Sequence, residues 1–240
     1  MKKLVGIVLL ILPMLAQASV GVSLDEVDVD VSDKASLMRG AQYFATYCQS
    51  CHSIKHMRYS RIADDLAIPE KQVEQELIPG GGFLYSSMTT AMSAKDAEQW
   101  FAGAKAPDLS LIARSRGPDW LYTYLRGFYL DAARPFGVNN VVFPDVAMPN
   151  VLWEMQGQQK AVFKKEGKTE VLDRLMLVEG GQMTPQEFDA AITDLVNFLV
   201  YAGEPAQLQR TSLGKYVILF LIVFLVLAYR LKKEFWKDVH

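Results

Sequence analysis

Both cysteines of this 240-residue chain fall within four consecutive positions, and a histidine follows at once: Cys48-Gln49-Ser50-Cys51-His52. Two thiols with a two-residue spacer and an adjoining histidine form the C-x-x-C-H pattern of covalent c-type haem attachment. The thiols add across the two vinyl groups of the macrocycle as thioethers, and the spacer sets the reach between them. The imidazole swings beneath the iron and binds it as an axial ligand. Three other chemistries use similar residues. A thioredoxin-type dithiol expects a βαβ setting that the surrounding pattern lacks. A zinc site built from Cys48, Cys51, His52 and His56 lacks the usual spacer of about a dozen residues between its pairs. A structural disulfide suits an oxidising compartment but leaves His52 unexplained.

An electron-transfer haem needs a second axial ligand. His56 lies one helical turn past His52, too close to reach the far face of one iron, and His240 stands at the far end of the chain. Methionine is the natural alternative, and a thioether ligand raises the reduction potential. Met148 stands out, in VVFPDVAMPN between Pro144 and Pro149, because a proline-flanked loop can hold a side chain rigidly over the far face. Met88 and Met92 remain open as alternatives. Any of the three also serves as ordinary core filler.

The segments that must deliver these residues are legible from both ends. MKKLVGIVLLILPMLAQAS has a basic start, an apolar run from Leu4 to Leu15 and a small-x-small Ala16-Gln17-Ala18. It reads as a signal peptide over residues 1–18. Near the other end, Leu213 to Leu231 is a 19-residue apolar stretch with Lys215 and Arg230 placed to snorkel. It reads as one transmembrane helix in membrane lipid, with Tyr216, Tyr229 and Trp236 at the interfaces. Arg230, Lys232, Lys233 and Lys237 keep the tail, residues 232–240, in the cytoplasm. The domain between, residues 19–212, is then periplasmic, anchored to the inner membrane of a bacterium.

Charge follows the same division. The whole chain is at −2; removing Lys2 and Lys3 leaves −4. Residues 215–240 carry five basic and two acidic side chains, so the exported part is at −7. An acidic exported surface suits a basic partner and argues against nucleic acid.

Within the exported part, SVGVSLDEVDVDV suggests an edge strand or an extended arm. Ser32 or Asp33 caps a helix expected to run to Cys48, with Leu37, Gly40, Ala41 and Phe44 on one face. Short helices are expected over PEKQVEQEL, SAKDAEQWFAG and GPDWLYTYLRGFY, and a small hairpin around Glu166-Gly167. Thr184-Pro185-Gln186-Glu187 is a capping box with proline at the first helical position. It opens a helix that Gly203 and Pro205 close.

In this order the pieces resemble cytochrome c1, the membrane-anchored haem subunit of the cytochrome bc1 complex. CQSCH, APDLS at 106–110, IAR at 112–114, AMPNVLW at 147–153, the late capped helix and the single anchor carry the likeness. It implies a mainly α fold: a cytochrome c-like haem domain with long loops and a small β-hairpin, plus one C-terminal transmembrane helix. It implies one covalent haem c on Cys48 and Cys51, with His52 and Met148 as axial ligands. Pro107 is implied beside the proximal imidazole, its carbonyl or a neighbour's orienting the ring. Arg114 is implied against a haem propionate, a task for which Arg116 and Arg126 are also placed. The implied role is electron carriage, not catalysis by this chain: one electron from a Rieske iron–sulfur subunit to a soluble cytochrome c, beside cytochrome b. A free-standing anchored cytochrome, a terminal-oxidase subunit or a small-ligand haem site are the rival readings.

Overall fold

The computed structural model describes residues 23–238, apart from 79, 102, 167 and 168. The expected signal peptide and His240 lie outside the described residues. Residues 23–30 form an extended arm, not an edge strand. The N–H groups of Asp25 and Val27 donate to side-chain oxygens of Thr123 and Asp119, so the arm borrows side-chain acceptors instead of a neighbouring ladder.

Helix α1 spans Lys34–Tyr43 and starts on Asp33, whose carboxylate accepts from Ala35 and Ser36 N–H at 3.0 Å. The expected α-helix to Cys48 stops early. From Phe44 to Cys48 the chain widens into a π-type turn, closed by Gln49 N–H donating to the Phe44 carbonyl at 3.0 Å. Such a widening re-aims the residues that follow it and is common at functional sites. Here Phe44 stays in the helical core while Cys48 reaches a cavity wall.

The chain continues through β1 (Ile54–Arg58), α2 (Tyr59–Leu66), α3 (Glu70–Leu77), β2 (Ser87–Met88) and α4 (Ala94–Trp100). Then come α5 (Ile112–Arg116), α6 (Pro118–Arg126), β3 (Phe128–Leu130), β4 (Val138–Asn140) and α7 (Trp153–Gln156). The strands β5 (Gly157–Glu166) and β6 (Thr169–Gly180) pair in antiparallel register from Gly157↔Gly180 to Glu166↔Thr169, with two bulges. This hairpin is longer than the small one expected; part of its turn falls outside the described residues. Two further antiparallel pairs, β1–β2 and β3–β4, were not expected, because β2, β3 and β4 have only two or three residues each, too few to show alternation.

Helix α8 (Pro185–Gly203) carries the capping box in full, Thr184 and Glu187 each bonding the other's backbone N–H. It crosses α1 at Gly40, where a Cβ would stand 2.1 Å from the Asp194 carbonyl oxygen. One turn on, Phe44 and Phe198 pack with ring centroids 5.9 Å apart, both fully buried. Burying each ring contributes on the order of 1.5–3 kcal/mol. Arg39 clasps Asp194 with two hydrogen bonds at 2.6 and 2.9 Å across the same crossing.

Helix α9 (Gln207–Phe235) is long and apolar enough to cross a membrane, and none of its residues is buried. It extends beyond the expected 213–231 span at both ends, because polar residues continue the helix past the apolar stretch. Glu204, in the turn between α8 and α9, pairs with Arg210 on α9 and with Arg114 on α5.

Candidate functional site

A cavity of about 410 Å³ opens between the π-type turn, residues 104–109, α6, the loop 143–149 and α8. Its walls are mainly apolar, the usual character of a cofactor pocket. Cys48, Cys51, His52, Pro107 and Met148 all line it, although they come from three separate stretches of chain.

His52 is oriented by the backbone opposite. Its Nδ1 lies 2.8 Å from the Pro107 carbonyl oxygen. A carbonyl can only accept, so Nδ1 carries the proton and Nε2 keeps the free lone pair that a metal requires. Burial lowers the imidazole pKa, opposed by the Pro107 carbonyl and Asp108, and the neutral form is the ligating one. The two segments are laced together around this bond. Leu109 N–H donates to the Ser53 carbonyl at 2.7 Å, Lys55 N–H to the Asp108 carboxylate at 3.1 Å, and His56 N–H to Ser110 Oγ at 3.2 Å. Thr90 braces the motif from the far side, its hydroxyl donating to the Ser50 carbonyl at 2.6 Å. Burial of Asp108 raises its pKa, but the Ser110 side chain and the N–H groups of Lys55 and Ser110 outweigh this and hold it low.

Cys48 is buried, and burial, with a smaller push from Cys51, raises its thiol to about 12. A redox-active dithiol needs the opposite, a thiol pKa pulled down toward neutrality. The strand pairs among the described residues are all antiparallel, so the thioredoxin-type reading also lacks its βαβ setting.

Met148 is the methionine that lines the cavity, and the Tyr124 hydroxyl donates to its Sδ at 3.3 Å. Met88 is fully buried in β2 opposite Ile54, and neither it nor Met92 lines the cavity. His56 sits on β1, also away from it.

Arg114 departs from expectation. Its guanidinium pairs with Glu204 at 3.2 Å and does not line the cavity; Arg116 lines it instead, 5.0 Å over the Trp120 ring. Residues two apart on a helix face nearly opposite sides, so α5 can offer the cavity only one of the two. The helix α6 was expected but its part in the site was not: Trp120 and Tyr124 stack at 4.9 Å, with Phe128 edge-on to Tyr124 at 5.3 Å. The aromatic spacing of four was the available signal.

Two thiols, an imidazole with a free Nε2 and a thioether around one apolar cavity fit a covalently held haem. The model of the cytochrome C1 family matches residues 26–78 and 85–239. The chain belongs to the cytochrome c1 family. It is 50% identical over 223 residues to the cytochrome c1 of Allochromatium vinosum, covering 92% of this chain and 91% of the relative. It is 43% identical over 245 residues to a protein of Nitrosomonas europaea named ammonia monooxygenase gamma subunit, covering 100% and 99%. A protein of Bradyrhizobium diazoefficiens named cytochrome b/c1 is 25% identical over 258 residues, which cover 87% of this chain but 34% of that longer protein. As a cytochrome c1, the chain is a membrane-anchored c-type cytochrome of the bc1 complex with one covalent haem c, and α9 is its anchor. The mainly helical fold with short antiparallel pairs agrees with that membership.

Proposed function

We propose that Cys48 and Cys51 hold the haem as thioethers, and that His52 Nε2 and Met148 Sδ are its axial ligands. The observation that carries this is the single apolar cavity lined by all four, with His52 fixed by Pro107 and Met148 by Tyr124. The haem supplies a one-electron couple. The protein's part is to hold both ligands still and exclude water. His52 cannot turn without breaking its bond to the Pro107 carbonyl, and the apolar walls disfavour the more charged oxidised state, which favours a high potential. Ligands that need not move between redox states keep reorganisation small.

The chain then carries one electron at a time from a Rieske iron–sulfur protein to a soluble cytochrome c, with its haem domain in the periplasm. Cytochrome b is its neighbour, a reading supported by the relative whose name joins b and c1. Attraction between the acidic exported surface and a basic carrier speeds encounter, so transfer slows as salt rises. The Nitrosomonas relative's name favours a second reading, a subunit of an oxygenase assembly. Co-purification with cytochrome b and a Rieske protein, or with an oxygenase, separates the two.

Optical and magnetic spectroscopy of Met148→Leu tests the ligand set. Loss of the sulfur-to-iron charge-transfer band, a lower potential and carbon monoxide binding in the reduced state are expected. An unchanged spectrum would move the sixth ligand elsewhere.

A further inference from the structure

The loop that carries Met148 is not held by its prolines alone. It leaves β4 at Asn140, which is 1% exposed although its side chain is polar. Both ends of that amide are engaged. Its Oδ1 accepts from the N–H groups of Val142 at 3.0 Å and Phe143 at 3.3 Å, shaping the first turn of the loop. Its Nδ2 donates to the Tyr124 carbonyl at 2.8 Å, capturing an acceptor at the C-terminal end of α6 that the helix leaves only part-used. Tyr124 is the same residue whose hydroxyl donates to Met148 Sδ. The loop is therefore pinned to one tyrosine at both ends, by backbone at residue 140 and by side chain at residue 148. Asn139 shapes the middle, its Oδ1 accepting from Asp145 N–H at 2.9 Å where the backbone takes a positive φ of 63°. Trp120 stacks on the Tyr124 ring, and Phe143 of the loop meets Trp120 edge-on at 6.5 Å.

We propose that Asn140 is a positioning residue that latches the Met148 loop onto Tyr124, and that this latch keeps the thioether on the haem iron. The inference rests on the ligand reading given above. Asn140 touches no reacting atom; it acts by making departure of the sulfur a concerted event. The β3–β4 pairing and the bond from Val141 N–H to the Gly127 carbonyl hold the strand itself; without the amide the first turn of the loop samples more conformations in which Sδ is out of reach, whereas a closed loop samples few. Removing the amide leaves the Tyr124 carbonyl with the Gly127 N–H alone and takes the acceptor from the Val142 and Phe143 N–H groups. The Tyr124 hydroxyl adds a second, smaller effect. By donating to a sulfur lone pair it makes the thioether a poorer donor to the oxidised iron and favours the reduced state.

Three variants of the full-length holoprotein test this, read by the charge-transfer band, redox titration and carbon monoxide binding, with covalent haem content and thermal unfolding as controls. Asn140→Ala is expected to lose the band and to bind carbon monoxide at least tenfold faster when reduced. Its oxidised-to-reduced ratio at fixed poise should rise at least tenfold, a fall of about 59 mV for one electron. Asn140→Asp keeps the Oδ1 acceptor that shapes the turn but loses the Nδ2 donor, and should move the same way by a smaller factor. Tyr124→Phe keeps the carbonyl latch, so it should stay closed to carbon monoxide while its ratio shifts severalfold in the same direction. If Asn140→Ala fails to accumulate, Asn140→Asp decides. Wild-type carbon monoxide exclusion and potential in the asparagine variants would overturn the latch. A wild-type protein that itself lacks the sulfur band would instead overturn the Met148 assignment on which it stands.

Discussion

Replacing Gly40 by alanine should separate the two helices on which the haem domain is built. The new methyl would stand 2.1 Å from the Asp194 carbonyl oxygen and 2.7 Å from Phe198 Cβ. Ordinary contact begins at 3.4 Å, so α1 and α8 must part by roughly 1.3 Å, the difference between 3.4 and 2.1. Neither obstacle is the end of a flexible side chain, so no rotamer change relieves it. Overpacking of a core costs about 1–3 kcal/mol, and obstruction by backbone belongs at the top of that range. A gap of this size also forfeits part of the dispersion between Phe44 and Phe198. Alanine's better helix propensity returns about 1 kcal/mol, leaving a net loss of about 2 kcal/mol. For a domain of roughly 200 residues that lowers Tm by about 4–8 °C. Thermal unfolding of the detergent-solubilised holoprotein, followed at the haem band, measures it. Gly180→Ala is the control, because a Cβ there meets nothing within 4 Å. A Gly40→Ala protein melting with the control and the wild type would refute the close crossing.

Thr184→Ala removes the N-cap of α8 and should cost about 1 kcal/mol, with Thr184→Ser restoring most of it in the same melting assay. Asp108 is held below its ordinary 3.8 in the folded protein. A depressed carboxylate contributes stability that is present above 3.8 and lost as pH falls through the lower folded value, so melting temperature should drop on acidification below about pH 4. Asp108→Asn should flatten that acid limb; an unchanged limb would remove Asp108 from the brace around His52. Arg114→Met breaks a half-exposed pair with Glu204 and should cost under about 1 kcal/mol with no change in reduction potential. Arg116→Met should lower the potential, since it removes a cationic side chain lining the cavity; equal potentials in the two variants would contradict the placement.

How much was legible depended on whether the deciding interaction is local. The Thr184 capping box needs only residues three positions apart, and it was read correctly. A cap at Ser32 or Asp33, which the structure places on Asp33, and the Gly40–Phe44 face were legible for the same reason. The end of α1 was not, because the π-type turn Phe44–Cys48 answers to the cavity wall that Cys48 must reach. Arg114 pairs with Glu204 away from the cavity, and Arg116 lines it, for a reason of geometry alone. Two arginines two residues apart look interchangeable in sequence, and only the seating of α5 against α8 and Glu204 turns one outward.

By itself the sequence determined the haem chemistry and the membrane anchor. The C-x-x-C-H motif, the apolar anchor and the family order are contiguous patterns, and contiguous patterns survive without a fold. The tertiary structure decided which methionine and which arginine reach the cavity, and which carbonyl fixes the proton on His52. It also decided that Asn140 and Tyr124 close the Met148 loop. The hydrogen bonds among those choices join residues 16 to 55 positions apart, with partners that only the folded chain brings within 3.3 Å.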